Sequence, residues 1–195
     1  ELIARAVHKL SCPDEPWVAL NVADYDEHGF ADALFGHVRG AFQGAVKARD
    51  GMLKEAGAGI LFLDELPEFN RNVLEVLREP LEAGAITIAR AGMQADFPAR
   101  FQLVAAMNPC PCGYLGDPQA DCCCSSERVA NYRAKISGPL LDRIDLHVSV
   151  SRPPTHLLRS SAARGERSEQ VAARVARARQ RQLHRSGTSN ARLTG

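Results

Sequence analysis

Gly59-Ile-Leu-Phe-Leu-Asp-Glu65 is the stretch from which the fold is read. Ile60 to Leu63 are uniformly apolar with no alternation, the pattern of a short strand buried on both faces of a parallel sheet. The run then stops on two carboxylates, Asp64 and Glu65. Open α/β sheets bind ligands beyond the carboxyl ends of their strands. An aspartate there can hold Mg²⁺ through water, and the glutamate after it can orient or deprotonate an attacking water. A strand running into an acidic turn looks the same, so the pair needs company before it signifies nucleotide chemistry.

Working outward, Gln102-Leu-Val-Ala-Ala-Met107 predicts a second buried strand, ending at Asn108. Between the two, Val73, Leu74, Val76, Leu77 and Leu81 predict a helix over 71–83, and Ile86-Thr-Ile88 with Phe97–Phe101 a short hairpin. Upstream, Leu2, Ile3, Ala6, Val7 and Leu10 share one helical face, and Trp17-Val-Ala-Leu-Asn-Val22 reads as a buried strand. The glycine-punctuated segment 36–45 reads as a loop. Downstream come a cysteine-rich loop over 109–127, a short helix near 127–136, a strand over Asp145–Val150 and a helix over 168–184. Strands alternating with helices predict an α/β fold with a parallel sheet.

Two further residues join the acidic pair. Asn108 ends its apolar run where a polar group can feel a γ-phosphate or the lytic water. Arg143, in Gly138-Pro-Leu-Leu-Asp-Arg-Ile-Asp145, can stabilise charge on a transferring phosphoryl group when supplied by a neighbouring subunit. An intrachain salt bridge to Asp142 or Asp145 is its bland alternative. Gly-x-x-x-x-Gly-Lys-Ser/Thr, the loop that cradles the β- and γ-phosphates, does not occur in the 195 residues.

Gly59–Phe69, Leu77-Arg-Glu-Pro-Leu-Glu82, Phe101–Gly113 and Ser137–Asp145 together resemble the magnesium-chelatase-like AAA+ ATPases of the ComM/YifB group. The resemblance covers residues 58–150. It implies an AAA+ P-loop-type parallel sheet flanked by helices, with Asp64 and Glu65 as the Walker B pair, Asn108 as sensor 1 and Arg143 as the arginine finger. It also implies ATP and Mg²⁺ as cofactors, self-assembly into a hexameric ring, and movement on DNA. Competence-linked members drive branch migration in recombination during transformation. Asn190-Ala-Arg-Leu193 resembles the family's entry into its carboxyl-terminal helical lid. The expected layout is an ATPase core over 1–151 lacking Walker A, then an Arg-rich linker and the start of the lid over 152–195. Such a chain, truncated at the P-loop and before the lid is complete, is expected to hydrolyse little ATP by itself.

Residues 1–50 resemble instead the ATPase domain of sigma-54-dependent transcription activators, through Glu1–His8, Trp17–Val22 and Leu34–Ala45. In that family Glu1 follows the P-loop lysine, and 40–45 is the pore loop that touches the sigma factor. Phe42 and Gln43 occupy that loop here, with Gln43 where threonine is usual. An activator that remodels RNA polymerase through its sigma factor is therefore the alternative function. A P-loop-less scaffold is the non-enzymatic one.

Composition bounds these readings. No apolar run reaches the roughly 20 residues that span a bilayer, and Glu1-Leu-Ile-Ala-Arg5 has no secretory layout, so a cytoplasmic protein without a membrane partner is expected. Residues 152–195 hold ten arginines against Glu166 and Glu169, a net charge of +8 within a chain whose total is +1. That arm can contact nucleic acid or be a solvated face. Cys110, Cys112, Cys122, Cys123 and Cys124 crowd one loop. In a reducing compartment Cys110, Cys112, Cys122 and Cys124 fit a tetrahedral Zn²⁺, with free thiols or a redox pair as alternatives. Cys12 is a small apolar residue, His8 and His37 surface residues, and His147 part of a strand.

Overall fold

The computed structural model describes residues 1–21, 27–37, 46–90, 93–153 and 165–190. Phe42 and Gln43 lie outside them. In chain order the elements are α1 (Leu2–Ser11), β1 (Trp17–Asn21), α2 (Glu27–Phe35), β2 (Gly36–His37), β3 (Arg49–Asp50), α3 (Met52–Ala56) and β4 (Ile60–Asp64). A 3₁₀ turn (Leu66–Glu68), α4 (Arg71–Val76), α5 (Arg78–Ala83), β5 (Ala85–Arg90), β6 (Met93–Pro98), β7 (Gln102–Ala105), α6 (Ser126–Arg133), α7 (Gly138–Leu141) and α8 (Ser168–Ser186) follow.

β4 is central, as its unbroken apolar run demands. It pairs in parallel with β1 on one side and β7 on the other, so Leu61 faces Val18 and Leu103, and Leu63 faces Leu20 and Ala105. Ile60 to Leu63 are all buried. Parallel neighbours need long crossovers. One carries α2, β2, β3 and α3, the other α4, α5 and the β5–β6 hairpin. At the start of β4 the chains are too close for a side chain. A Cβ on Gly59 would lie 1.9 Å from the Pro16 carbonyl oxygen, which accepts a hydrogen bond from Ile60 N at 2.9 Å.

Leu20, Leu34, Leu53, Leu63, Leu74 and Leu77 anchor the core on this sheet. The helix expected over 71–83 is two helices that meet at Leu77. Pro80 has no N–H for the Val76 carbonyl and its ring crowds that oxygen. The chain tightens instead, with Leu77 N donating to Leu74 O at 3.1 Å. Asn70 caps α4 by accepting from Asn72 N at 2.9 Å, and Gly84, at φ +65°, closes α5. The hairpin forms as expected but earlier, from Ala85 opposite Pro98 to Arg90 opposite Met93. Phe101 enters the core instead.

The strand expected over 145–150 and the burial expected of 17–22 are corrected. Asp145–Val150 forms no strand, and Leu146, Val148 and Val150 are 83%, 80% and 70% exposed. Alternation makes a strand only where a neighbouring edge accepts its hydrogen bonds, and among the described residues none pairs with it. The apolar face of α1 is exposed at Leu2, Ile3, Val7 and Leu10, with Ala4 turned inward. In β1 only Leu20 is buried, because β4 alone flanks it among the described residues.

The chain divides into two compact units, Glu1–Val150 and Ser151–Gly195. In the second, α8 has no buried residue and ends at Gly187. No described helix is long and apolar enough to cross a membrane.

Leu63→Ala is expected to cost about 2–5 kcal/mol in a denaturant titration of the 195-residue chain. Leu10→Ala, on the exposed face of α1, should stay within about 0.5 kcal/mol.

Candidate functional site

At the carboxyl edge of the sheet the backbone is stitched together. Ala106 N donates to Leu63 O and Leu66 N to Ala106 O, both at 2.9 Å. This places Asp64, half-buried, and Glu65, exposed, beside the end of β7, with Asn108 two residues beyond the stitch. Glu65 has φ +54° and ψ +47°, the one non-glycine described residue with positive φ. The left-handed region costs an L-residue about 1–2 kcal/mol. Such strain persists where the surroundings over-determine it. Here Leu66 and Pro67 are buried immediately after it, and Asp64 Oδ1 accepts from Glu65 N at 3.0 Å. Holding the glutamate in this turn keeps its carboxylate in solvent at the rim while its neighbours are buried.

Asn21 joins this edge, in register with Asp64 across the β1–β4 ladder. The sequence reading passed over it. The signal is a polar residue late in an apolar run, as at Asp64 and Asn108, but Val22 follows it in the sequence.

Asn108 is held from below. Burial raises the pKa of Tyr132, while the Asn108 backbone lies against it and has the smaller, lowering effect, and Arg133 Nη2 donates to Pro109 O at 3.3 Å. Arg143 is ion-paired to Glu82 on α5 and donates through Nη1 to Pro139 O at 3.0 Å. Its salt bridge is therefore to Glu82, with neither Asp142 nor Asp145 as partner. The structure brings Asn21, Asp64, Glu65 and Asn108 to one edge. Arg143 makes no hydrogen bond or ion pair with them.

The loop after Asn108 carries a second constellation. The sulfurs of Cys110, Cys112, Cys122 and Cys124 all lie within 4.8 Å of one another. Cys110 is 3.4 Å from Cys112 and 3.7 Å from Cys122, and Cys112 is 3.6 Å from Cys122. These are no disulfides, which are about 2.05 Å. Cys110 is fully buried, whereas Cys123 faces solvent and stands outside the cluster. Protons distribute unevenly over the crowded sulfurs. The Tyr114 backbone holds the Cys112 thiol down at about 5, and desolvation pushes Cys124 up to about 12. Four converging sulfurs with part of their charge suppressed form a set that a soft cation can complete.

His8, His37 and His147 take no part. His8 Nε2 lies 2.7 Å from Glu15 O and its ring packs edge-on against Trp17. His37 is not a loop residue; it lies in β2, partly buried, with Nδ1 2.8 Å from Asp32. His147 is exposed outside any strand.

The family model for magnesium chelatase, subunit ChlI, matches residues 36–158. The YifB protein of Salmonella typhimurium is 46% identical over 153 residues, 78% of this chain and 29% of that protein. The competence protein ComM of Haemophilus influenzae is 46% identical over 151 residues, 77% of this chain and 29% of that one. This chain thus spans less than a third of the length of either. The transcriptional regulator VasH of Vibrio cholerae is 37% identical over 54% of this chain and 20% of its own. Among solved structures, NtrX from Brucella abortus in complex with ADP aligns with a TM-score of 0.54 at 19% identity, covering 95% of this chain and 34% of that one. At that identity the likeness establishes the fold.

The strain at Glu65 makes a direct prediction. Glu65→Gly should be more stable than Glu65→Val by about 1–2 kcal/mol, since glycine alone adopts φ +54° freely. Equal thermal midpoints for the two would contradict the left-handed turn.

Proposed function

The chain belongs to the magnesium chelatase ChlI family, in its ComM/YifB-like branch, and from that membership we propose that it is the hydrolytic core of an ATP-driven ring motor acting on DNA. The observation that carries the reading is the Asp64–Glu65 pair at the carboxyl end of β4, with Glu65 forced into a strained turn.

The donor set fits Mg²⁺ and ATP: a half-buried carboxylate, an exposed one and an amide on the adjoining strand. Mg²⁺ bound there would neutralise phosphate charge. Asp64 would hold the ion. Glu65 orients the attacking water and accepts its proton. Asn108 holds that water or the γ-phosphate in line, and Arg143 stabilises developing charge in the site of the adjoining subunit. A hexameric ring in the cytoplasm follows from the same family reading.

DNA is the favoured substrate, supported by the ComM/YifB relatives and by the net charge of +8 over 152–195. DNA branch migration in transformation is the finer form of this role. The similarity to VasH supports a second reading, an ATPase that remodels sigma-factor-bound polymerase. Gln43, in place of the usual threonine, weighs against it.

Cys110, Cys112, Cys122 and Cys124 are assigned a structural Zn²⁺. Zinc–thiolate bonds of about 2.3 Å give a tetrahedron with edges of about 3.8 Å; Cys110, Cys112 and Cys122 lie 3.4–3.7 Å apart, and Cys124 is within 4.8 Å of each.

The test is ATP turnover by a form of the protein that includes a phosphate-binding loop, with and without branched DNA. Turnover should rise with DNA and fall by at least about 10²-fold in Glu65→Gln. DNA-indifferent turnover would shift the assignment to the polymerase-remodelling reading, and turnover unaffected by Glu65→Gln would remove Glu65 from the chemistry.

A further inference from the structure

Asn108 sits outside the regular sheet. β7 ends at Ala105, and the last strand-to-strand hydrogen bonds are those of Ala106. Met107, Asn108 and Pro109 are all exposed, so no apolar packing fixes them. A residue that must discriminate a γ-phosphate has to be held to within fractions of an ångström. The sheet holds one side of this short bridge. The other side is Cys110, fully buried in the sulfur cluster.

The cluster is well placed to serve as that second anchor. The loop over 109–125 contains no regular secondary structure, and its internal backbone bonds are few: Gly113 N to Cys110 O and Asp117 N to Tyr114 O, both at 3.0 Å. Cys110 is its one buried residue. What joins its two ends is the convergence of Cys110 and Cys112 with Cys122 and Cys124. Ser125, directly after Cys124, caps α6. That helix returns to the site, with Tyr132 on the Asn108 backbone, Arg133 on Pro109 O, and Lys135, just past its end, on Glu68 at 3.2 Å. The Asn108 side chain itself rests beside the loop. A Cβ on Gly113, between Cys112 and Tyr114, would lie 3.9 Å from Asn108 Oδ1.

We infer that the four-thiolate metal centre is the positioning device for Asn108: by cross-linking 110–112 to 122–124 it locks the amide at the sheet edge, so ATP hydrolysis depends on a metal that never touches nucleotide. This rests on the zinc assignment. It makes Cys110, Cys112, Cys122 and Cys124 positioning residues, and it ties a loop that looks like a detached structural appendage to the turnover step.

The experiment combines metal analysis with a double-mutant cycle, in a form of the protein carrying a phosphate-binding loop. Wild type and Cys123→Ser should each hold about one zinc per chain, and Cys122→Ser far less. Cys122→Ser should retain nucleotide affinity while kcat falls to within about threefold of that of Asn108→Ala, a loss on the order of 10²-fold. The double variant should lose little more than either single one, since each removes the same contact. Removing zinc from wild type with a chelator should reproduce the kcat loss, and returning Zn²⁺ or Co²⁺ should restore it, which keeps the test valid if Cys122→Ser misfolds. Folded, active, metal-free wild type would overturn the zinc assignment itself. Stoichiometric zinc with undiminished turnover after its removal, or additive losses in the cycle, would leave zinc in place and overturn the positioning role.

Discussion

Everything in the first unit depends on β4 being hydrogen-bonded on both sides. A strand with parallel partners on each edge spends all its backbone groups inside the sheet, and both of its faces lie in the interior. Charge can therefore enter only after Leu63. When it does, the chain must still leave the sheet without orphaning polar groups. The answer is the exchange between Leu63, Ala106 and Leu66, which closes the end of β4 onto the end of β7. With Leu66 and Pro67 buried and Leu66 N committed to Ala106, Glu65 has no relaxed conformation left. Its left-handed backbone follows directly from the burial of the strand that precedes it.

The same unit keeps order by two different means. Around the sheet, order comes from apolar area: Leu34, Leu53, Leu74 and Leu77 fill the layer under β4. The loop over 109–125 has no such area to bury. Twelve of its seventeen residues are glycine, proline, aspartate or cysteine, a composition that does not collapse by itself. Convergent sulfur ligands substitute for a core there, as in small domains that cannot bury enough surface. The boundary between the two regimes falls at Asn108.

The parts legible in the sequence were those set by local pattern. The apolar runs at 60–63 and 102–107, the hairpin, and the long helix ending near Gly187 each carry a period or a stop signal of their own. What escaped was set by partners far along the chain. Periodicity over 71–83 is continuous, so the break at Leu77 shows only in what Pro80 lacks. The alternation at Leu146, Val148 and Val150 is real, but alternation does not say whether an edge is free to receive it. Asn21 meets the criterion that picks Asn108, but Val22 follows it in the sequence and hides the polar close of the run. The convergence of the two cysteine pairs across their loop is likewise a product of the fold, which brings the four sulfurs within 4.8 Å of one another.

Arg143 shows the limit most sharply, because its partner Glu82 is 61 residues away. The pairing at first looks like a demotion of a charge that the proposed ring needs. Magnitudes say otherwise. Half of Glu82 and nearly a third of Arg143 remain exposed, and partly exposed pairs contribute only about 0–1 kcal/mol. In the proposed ring, an interaction that weak would be readily exchanged for phosphoryl oxygens of a neighbouring subunit, whose charge is greater. Meanwhile Glu82 and the Pro139 carbonyl together fix the plane of a guanidinium that has five donors in all, and a flexible side chain becomes an oriented one. In the proposed finger role, an arginine held in this way would lose less freedom on engaging than one free in solvent. On that reasoning Leu77-Arg-Glu-Pro-Leu-Glu82 and Gly138–Arg143 form a single device whose two halves meet only in the folded chain.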